Sequence, residues 1–145
     1  MTAAFNYFNH TVQDMGSGVM DLATDTLMFM LTNTLPVATN HVYSDISGTE
    51  LANGNGYTTG GGVVPSTSYT LSSSTSTLAA SAFTWTSGPG NMGPFRYVVA
   101  YDGTPATKTL LGWWDYGSSL TLLGASGQQF IASPNGSLLF TVTHA

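Results

Sequence analysis

The sequence predicts a mainly β fold, an antiparallel two-sheet sandwich of jelly-roll type with a short N-terminal helix. The first observation is a series of short segments rich in β-branched and aromatic residues, separated by glycine and proline turns. The second is the stretch 93–117, in which two such segments flank the turn residues Asp102 to Pro105. The third is the length, because 145 residues are enough for a single domain, 1–145, with its own core.

The N-terminal region, residues 1–18, is predicted to be a helix or arm of this domain. Phe5, Phe8 and Val12 recur at helical spacing within Ala3–Met15. A Gly-Ser-Gly triplet then ends the pattern, as expected at the end of a helix. We therefore expect one short amphipathic helix before the first strand.

The first predicted strand is Leu27–Leu31, a continuous apolar run typical of a central strand that is buried on both faces. Residues 36–62 are rich in turn formers, and we expect a loop there with one helical turn at Ser44–Leu51 and a flexible glycine-rich part. Two strands rich in Ser and Thr are then expected at Val63–Leu71 and Ser76–Trp85.

The segments Phe95–Tyr101 and Thr109–Tyr116 are predicted to form a β-hairpin. If the two strands fold back symmetrically about the turn, Tyr97 faces Trp113. This register makes one face a core surface and leaves the other too apolar for water, so both faces need cover. Six residues are expected to be buried: Phe29, Phe83, Tyr97, Val99, Leu111 and Trp113.

Three more short strands are predicted towards the C-terminus, at Ser119–Leu123, Gln129–Ala132 and Leu138–Thr143. They are separated by the turn segments 124–127 and 134–136, which contain glycine and proline. Short strands at such regular spacing are typical of a sandwich or a barrel.

The composition is unusually poor in charge. Only 6% of the residues are Asp, Glu, Lys or Arg, compared with about 25% in a typical soluble domain. Two cations and a net charge of −5 argue against nucleic-acid binding, and no apolar run is long enough to cross a membrane. Low charge leaves little to repel neighbouring copies, so we expect a homo-oligomer, with a trimer favoured.

The residues that usually carry catalysis or bind metals are few and scattered. His10, His41 and His144 have no partner at ligand spacing, and the chain contains no Cys. Asp102 and Asp115 flank the hairpin strands, where turn and edge roles are expected of them. The sequence therefore predicts a protein that is not an enzyme and has no catalytic, metal or cofactor site.

Trp113 and Trp114 are neighbours on one strand, so their side chains must point to opposite faces. Trp113 is expected in the core, and Trp114 is expected at an interface together with Arg96 and Tyr116. Because an exposed tryptophan also stacks on sugars, a carbohydrate-binding module is an alternative.

Five segments together resemble small structural proteins encoded in the morphogenesis regions of tailed bacteriophages and prophages. They are Thr32–Ala38 (TNTLPVA), Gly54–Gly61 (GNGYTTGG), Gly93–Val99 (GPFRYVV), Tyr101–Pro105 (YDGTP) and Leu110–Ser119 (LLGWWDYGSS). The likeness covers most of the chain, and the third and fifth segments are its most specific parts.

The resemblance implies a non-enzymatic virion component, namely a head-decoration (cement) protein with a jelly-roll-like fold. Its partner would be the major capsid protein, and it would lie on the capsid surface after synthesis in the host cytoplasm. A tail or fibre component is the alternative within the same class. The resemblance brings no catalytic residues with it.

Overall fold

The computed structural model describes residues 3–134 and 138–143, with the backbone alone in the second range. Strands dominate, their pairing is antiparallel, and there is one short α-helix, so the predicted mainly β class is confirmed. The elements are β1 Phe5–Tyr7, α1 Thr11–Gly16, β2 Leu27–Thr32, β3 Gly62–Val63, β4 Ser68–Ser72, β5 Thr75–Ala79, β6 Phe83–Thr86, β7 Met92–Asp102, β8 Leu110–Leu122, β9 Gln129–Ala132 and β10 Leu138–Thr143. Short 3₁₀ turns lie at Tyr43–Asp45, Ser47–Thr49 and Gly124–Ser126.

The strands form three sheets in the part of the chain that the structure describes. The largest has five strands in the order β1-β8-β7-β2-β3, the second has three in the order β10-β5-β4, and the third pairs β6 with β9. β2 lies between β7 and β3, so the internal position predicted for the apolar run is confirmed. The strands predicted at Gln129–Ala132 and Leu138–Thr143 are also present.

The larger hydrophobic core, here called the inter-sheet core, joins the five-stranded sheet to the two smaller sheets. Phe29, Val98 and Leu111 contribute to it from the five-stranded sheet, and Leu78 and Phe130 from the smaller ones. Packing one face of a large sheet against other sheets gives the layered arrangement of a sandwich.

The opposite face of the five-stranded sheet carries a second cluster, here called the back-face core. Phe8 and Ile46 reach it from outside the sheet and cover the strand residues. The prediction that both faces of the hairpin need cover is therefore confirmed. The buried members are Phe8, Met30, Ile46, Tyr97, Val99, Tyr101, Leu110 and Trp113.

The N-terminal region differs from the predicted helix over Ala3–Met15. β1 pairs with β8, and the helix covers only Thr11–Gly16. The physical reason is that the edge of β8 offers backbone partners and that Phe5 packs on Trp114, with ring centroids 4.6 Å apart. Val12, expected on the apolar face of a helix, is 72% exposed.

The predicted hairpin forms from β7 and β8, but its register is shifted by two residues. Tyr97 faces Asp115, whereas a symmetric hairpin would place it opposite Trp113. A β-bulge near the turn adds Leu111 as an extra residue between consecutive pairs of the ladder. A shift of two residues keeps Tyr97 and Trp113 on one face, but the bulge moves Leu111 into the inter-sheet core.

The predicted core residues are buried, with one exception. Phe29, Tyr97, Val99, Leu111 and Trp113 are all less than 9% exposed. The exception is Phe83, which is partly buried and packs against the inter-sheet core. Its ring lies over Gly62, where an added Cβ would come within 2.1 Å of it. Phe83 lies on β6, in a sheet of only two strands, and keeps part of its surface exposed.

Strand boundaries differ from the prediction in three places. The strands predicted at Val63–Leu71 and Ser76–Trp85 are each divided into two. In the first, Ser66 has a φ of 53°, which breaks the extended conformation directly after Pro65. The segment Ser119–Leu123 is not a separate strand, since β8 continues through it for 13 residues in all.

Candidate interaction surface

β4, at the edge of the three-stranded sheet, is exposed along its whole length. Tyr69 is 36% exposed and Leu71 is 69% exposed, and strand alternation places both side chains on one face. The chain has no Asp, Glu, Lys or Arg between Leu51 and Phe95. This edge therefore lacks the charges that normally prevent an exposed strand from pairing with another chain.

A second exposed area, with both apolar and polar side chains, lies where the C-terminal half of β8 approaches β9. It forms an open groove of about 480 Å³. Tyr116 is 48% exposed and Ile131 is 56% exposed, so apolar side chains remain in contact with solvent there. The lining residues are Tyr116, Leu120, Leu122, Gln128, Gln129, Phe130 and Ile131.

The three residues predicted to form an interface differ in their environments. Trp114 is half-buried within its own chain, because its ring packs on Phe5 at 4.6 Å and on Phe29 at 5.4 Å between centroids. Tyr116 is exposed and contributes to the groove. Tyr116 is thus the most exposed of the three predicted interface residues.

Arg96 forms a bidentate ion pair with Asp115 of its own chain. Its Nε and Nη2 donate to the two carboxylate oxygens at 2.7 and 2.8 Å. The guanidinium holds the pKa of Asp115 below its ordinary value. Both side chains are more than a third exposed, so the pair is a surface feature of weak energetic value.

The structure brings together two histidines, His10 and His41, whose spacing in the chain did not predict a contact. The rings of His10 and His41 stack with centroids 4.0 Å apart, and Nε2 of His41 lies 2.9 Å from Oδ2 of Asp14.

The hydroxyl of Thr11, on the same helix as Asp14, is buried and donates to the carbonyl oxygen of Leu111 at 2.7 Å. This hydroxyl is therefore not free to act as a nucleophile. His144 lies outside the described residues.

Glu50 organises the glycine-rich loop, and sequence reasoning assigned it only to a helical turn. Its carboxylate accepts hydrogen bonds from the hydroxyls of Tyr43 and Tyr57 and from the backbone N–H of Gly60. The predicted helical turn appears as the two 3₁₀ turns that precede Glu50. Tyr101 donates to the carbonyl oxygen of Gly60 at 2.6 Å, and burial raises the pKa of Tyr101 to about 12. The loop is thus fastened to the five-stranded sheet.

The two aspartates of the hairpin have separate roles. Asp102 is buried at the end of β7, where its Oδ1 accepts the N–H of Thr104 at 2.9 Å. Asp115 lies across from Tyr97, further along the same strand pair. The arrangement does not bring the two carboxylates together for acid–base chemistry.

Comparison of the chain with protein-family models, with curated proteins and with solved structures gave no match. Among the described residues, no three His, Asp or Glu side chains are placed to hold a metal ion. No helix in the same part of the chain has the length and apolar character needed to span a bilayer. The exposed strand β4 and the groove at Tyr116 are therefore the candidate interaction surfaces of the described residues.

Proposed function

We propose that this protein is a non-enzymatic structural component of a tailed-bacteriophage virion, namely a capsid decoration (cement) protein. In this proposal it forms a homo-oligomer, with a trimer favoured, and binds the lattice of the major capsid protein on the capsid surface. The observation that carries the proposal is the uncharged edge strand β4, whose Tyr69 and Leu71 are exposed. The resemblance of the segments around the central hairpin to phage structural proteins supports the virion assignment.

An isolated chain with such an exposed strand edge would tend to associate with other chains. Soluble β proteins protect their open strand edges with charges, bulges or coverage, because an unprotected edge pairs with other chains. β4 has none of the charges, and the groove at Tyr116 adds a second uncharged area with exposed apolar side chains. Burial of these areas in a specific assembly removes the tendency to aggregate. Closed symmetry is the usual arrangement of identical copies, and a trimer matches the threefold positions of an icosahedral shell.

The experiment that tests the proposal has two stages. Sedimentation velocity of the purified protein measures its oligomeric state over a range of concentrations. Co-sedimentation then measures its binding to capsids of the parent phage that lack it, at low and at high salt. We expect a discrete oligomer and binding that changes by less than about threefold between the two salt conditions, because uncharged surfaces are not screened. A protein that stays monomeric and leaves the capsids bare contradicts the proposal.

A tail or fibre role is distinguished from decoration by position. A low-resolution map of the parent particle should show additional density on the capsid lattice. Density on the tail instead would assign the same structural class to a different part of the virion.

Carbohydrate binding is the second candidate, and one observation favours it. Tyr116 presents an exposed ring in a groove that also contains Gln128 and Gln129, a combination that suits stacking on a sugar and bonding to its hydroxyls. The tryptophans contribute less, since Trp85 is 4% exposed and Trp113 is 8% exposed. Glycan-array binding that disappears in Tyr116→Ala would favour this candidate over decoration.

A further inference from the structure

The last residue of β7 carries a buried carboxyl group that has no role in the proposed assembly. Asp102 is only 1% exposed. Its Oδ1 accepts the N–H of Thr104, but its Oδ2 receives no hydrogen bond from any residue that the structure describes. An ionised oxygen left without a donor in such a place is costly, whereas a protonated one acts as a donor itself.

Asp25, in the segment just before β2, is placed to accept a hydrogen bond from a protonated Asp102. The carboxyl group of Asp25 lies against that of Asp102, and both line a cavity of about 10 Å³. This space is no larger than a single water, so little solvent lies between the two carboxyl groups, although Asp25 itself is partly exposed. The other lining residues are uncharged, namely Leu22, Leu27, Thr67 and Leu78.

The remaining charges nearby do not neutralise the pair. Asp21 contacts Asp25 through its backbone, since the N–H of Asp21 donates to Oδ2 of Asp25 at 2.7 Å. Lys108, on the same turn as Asp102, places its Nζ 4.8 Å from the centre of the Tyr43 ring. Among the described contacts no cation neutralises the pair, so a bound proton is what relieves the repulsion between Asp25 and Asp102.

We propose that Asp102 carries a proton that it donates to Asp25, and that this carboxyl pair is a pH-sensitive clamp between the segment before β2 and the turn after β7. Two backbone contacts join the same parts of the chain. Gly103 donates to the carbonyl oxygen of Thr26 at 2.8 Å, and the N–H of Thr26 donates to Oγ1 of Thr104 at 2.7 Å. When the proton is lost, two adjacent carboxylates repel each other across this junction, and the junction opens more often.

The direction of the pH effect follows from linkage. Burial, and then the neighbouring Asp25, raise the pKa of Asp102 from 3.8 to about 6. The folded state therefore holds the proton more tightly than the unfolded state does. The stabilising effect is fully present below about pH 4 and is lost as the pH rises through about 6.

Hydrogen exchange measured by NMR tests the clamp at single amides. After correction for intrinsic exchange rates, the opening constant at Gly103 and Thr26 should rise about tenfold between pH 5 and pH 7. The amide of Val99, in the back-face core, is the internal control and should change much less. Equal pH dependence at all three amides overturns the proposal.

Two variants and one titration separate the clamp from a general effect of pH on stability. Asp102→Asn keeps the shape and the donor but cannot ionise, so the tenfold rise should disappear. Asp115→Asn is the matched control, because it removes a carboxylate at the surface and should preserve the rise. If Asp102→Asn does not fold, the carboxyl carbon of Asp102 in the unmodified protein can be titrated by NMR. A midpoint below about pH 5, against an ordinary value of about 3.9, overturns the proposal.

Discussion

In β7, within the five-stranded sheet, every residue from Tyr97 to Asp102 is buried, whereas in β4, at the edge of the three-stranded sheet, every residue is exposed. Both strands contain aromatic and aliphatic side chains. The difference is that β7 has a sheet neighbour on each side and a hydrophobic cluster on each face. β4 pairs with a neighbouring strand on one side only.

This difference divides the molecule into parts that maintain the fold and parts that remain exposed for association with another chain. At the loop beside the five-stranded sheet, the carboxylate of Glu50 has partners within the chain in Tyr43, Tyr57 and Gly60. On β4, Leu71 is in contact with solvent. Substitutions in the first region should therefore lower stability, and substitutions in the second should change association.

The largest effect should come from Trp113→Ala. Trp113 is 8% exposed and packs on Phe8 with centroids 4.7 Å apart. Truncation leaves a cavity in the back-face core and should lower the free energy of unfolding by about 3–5 kcal/mol, measured by denaturant titration. Trp114→Ala is the matched control and should cost less, because Trp114 is half-buried. A loss below about 1 kcal/mol for Trp113→Ala, as for a surface site, would mean that the two faces are assigned wrongly.

Glu50→Gln should have the next largest effect. The amide keeps one acceptor oxygen but directs an NH₂ group towards donors that the carboxylate now satisfies. We expect a loss of about 2–3 kcal/mol in the free energy of unfolding, since buried donors would lose a charged acceptor. Asp115→Asn makes the same chemical change on the surface and should alter stability much less. Equal losses for the two variants would show that Glu50 does not hold the loop.

Leu71→Ser should affect stability least and association most. Its side chain is exposed, so the free energy of unfolding should change by less than about 0.5 kcal/mol. Self-association measured by sedimentation should weaken about tenfold if Leu71 is buried between copies. Val12→Ser removes another exposed apolar side chain, on the helix, and is the matched control. The same association constant for Leu71→Ser and the unmodified protein would exclude β4 from the interface.

Much of this fold could be predicted from sequence, because strand patterns are local. The apolar run at β2, the hairpin and the strands at Gln129–Ala132 and Leu138–Thr143 are visible in residue types and turn signals. The hairpin register could not be predicted in this way, because it depends on a β-bulge at Leu111 that exists only once the two strands pair. The N-terminal helix was predicted too long for a related reason, since β1 exists only where β8 offers an edge.

The polar contacts could not be predicted from the sequence, because they join residues that are far apart in the chain. The side chain of Asp25 contacts that of Asp102, and the side chain of His41 contacts that of Asp14, only after the whole chain has folded. Glu50 offered one signal, since it is the chain's single glutamate and stands before a glycine-rich segment that contains Tyr57. Of the three predicted interface residues, Tyr116 remains in an exposed groove, while Trp114 is partly covered by Phe5.

The most direct test of the proposed division is hydrogen exchange by mass spectrometry on the free protein and on the capsid-bound protein. Assembly should slow exchange at Ser68–Ser72 in β4, because an added partner would cover that edge. Exchange within Tyr97–Tyr101 of β7 should stay the same, since these residues are already buried. Protection at β4 with no change at β7 is the predicted result. Unchanged exchange at β4 in protein that is demonstrably capsid-bound would contradict the claim that this strand is the assembly surface.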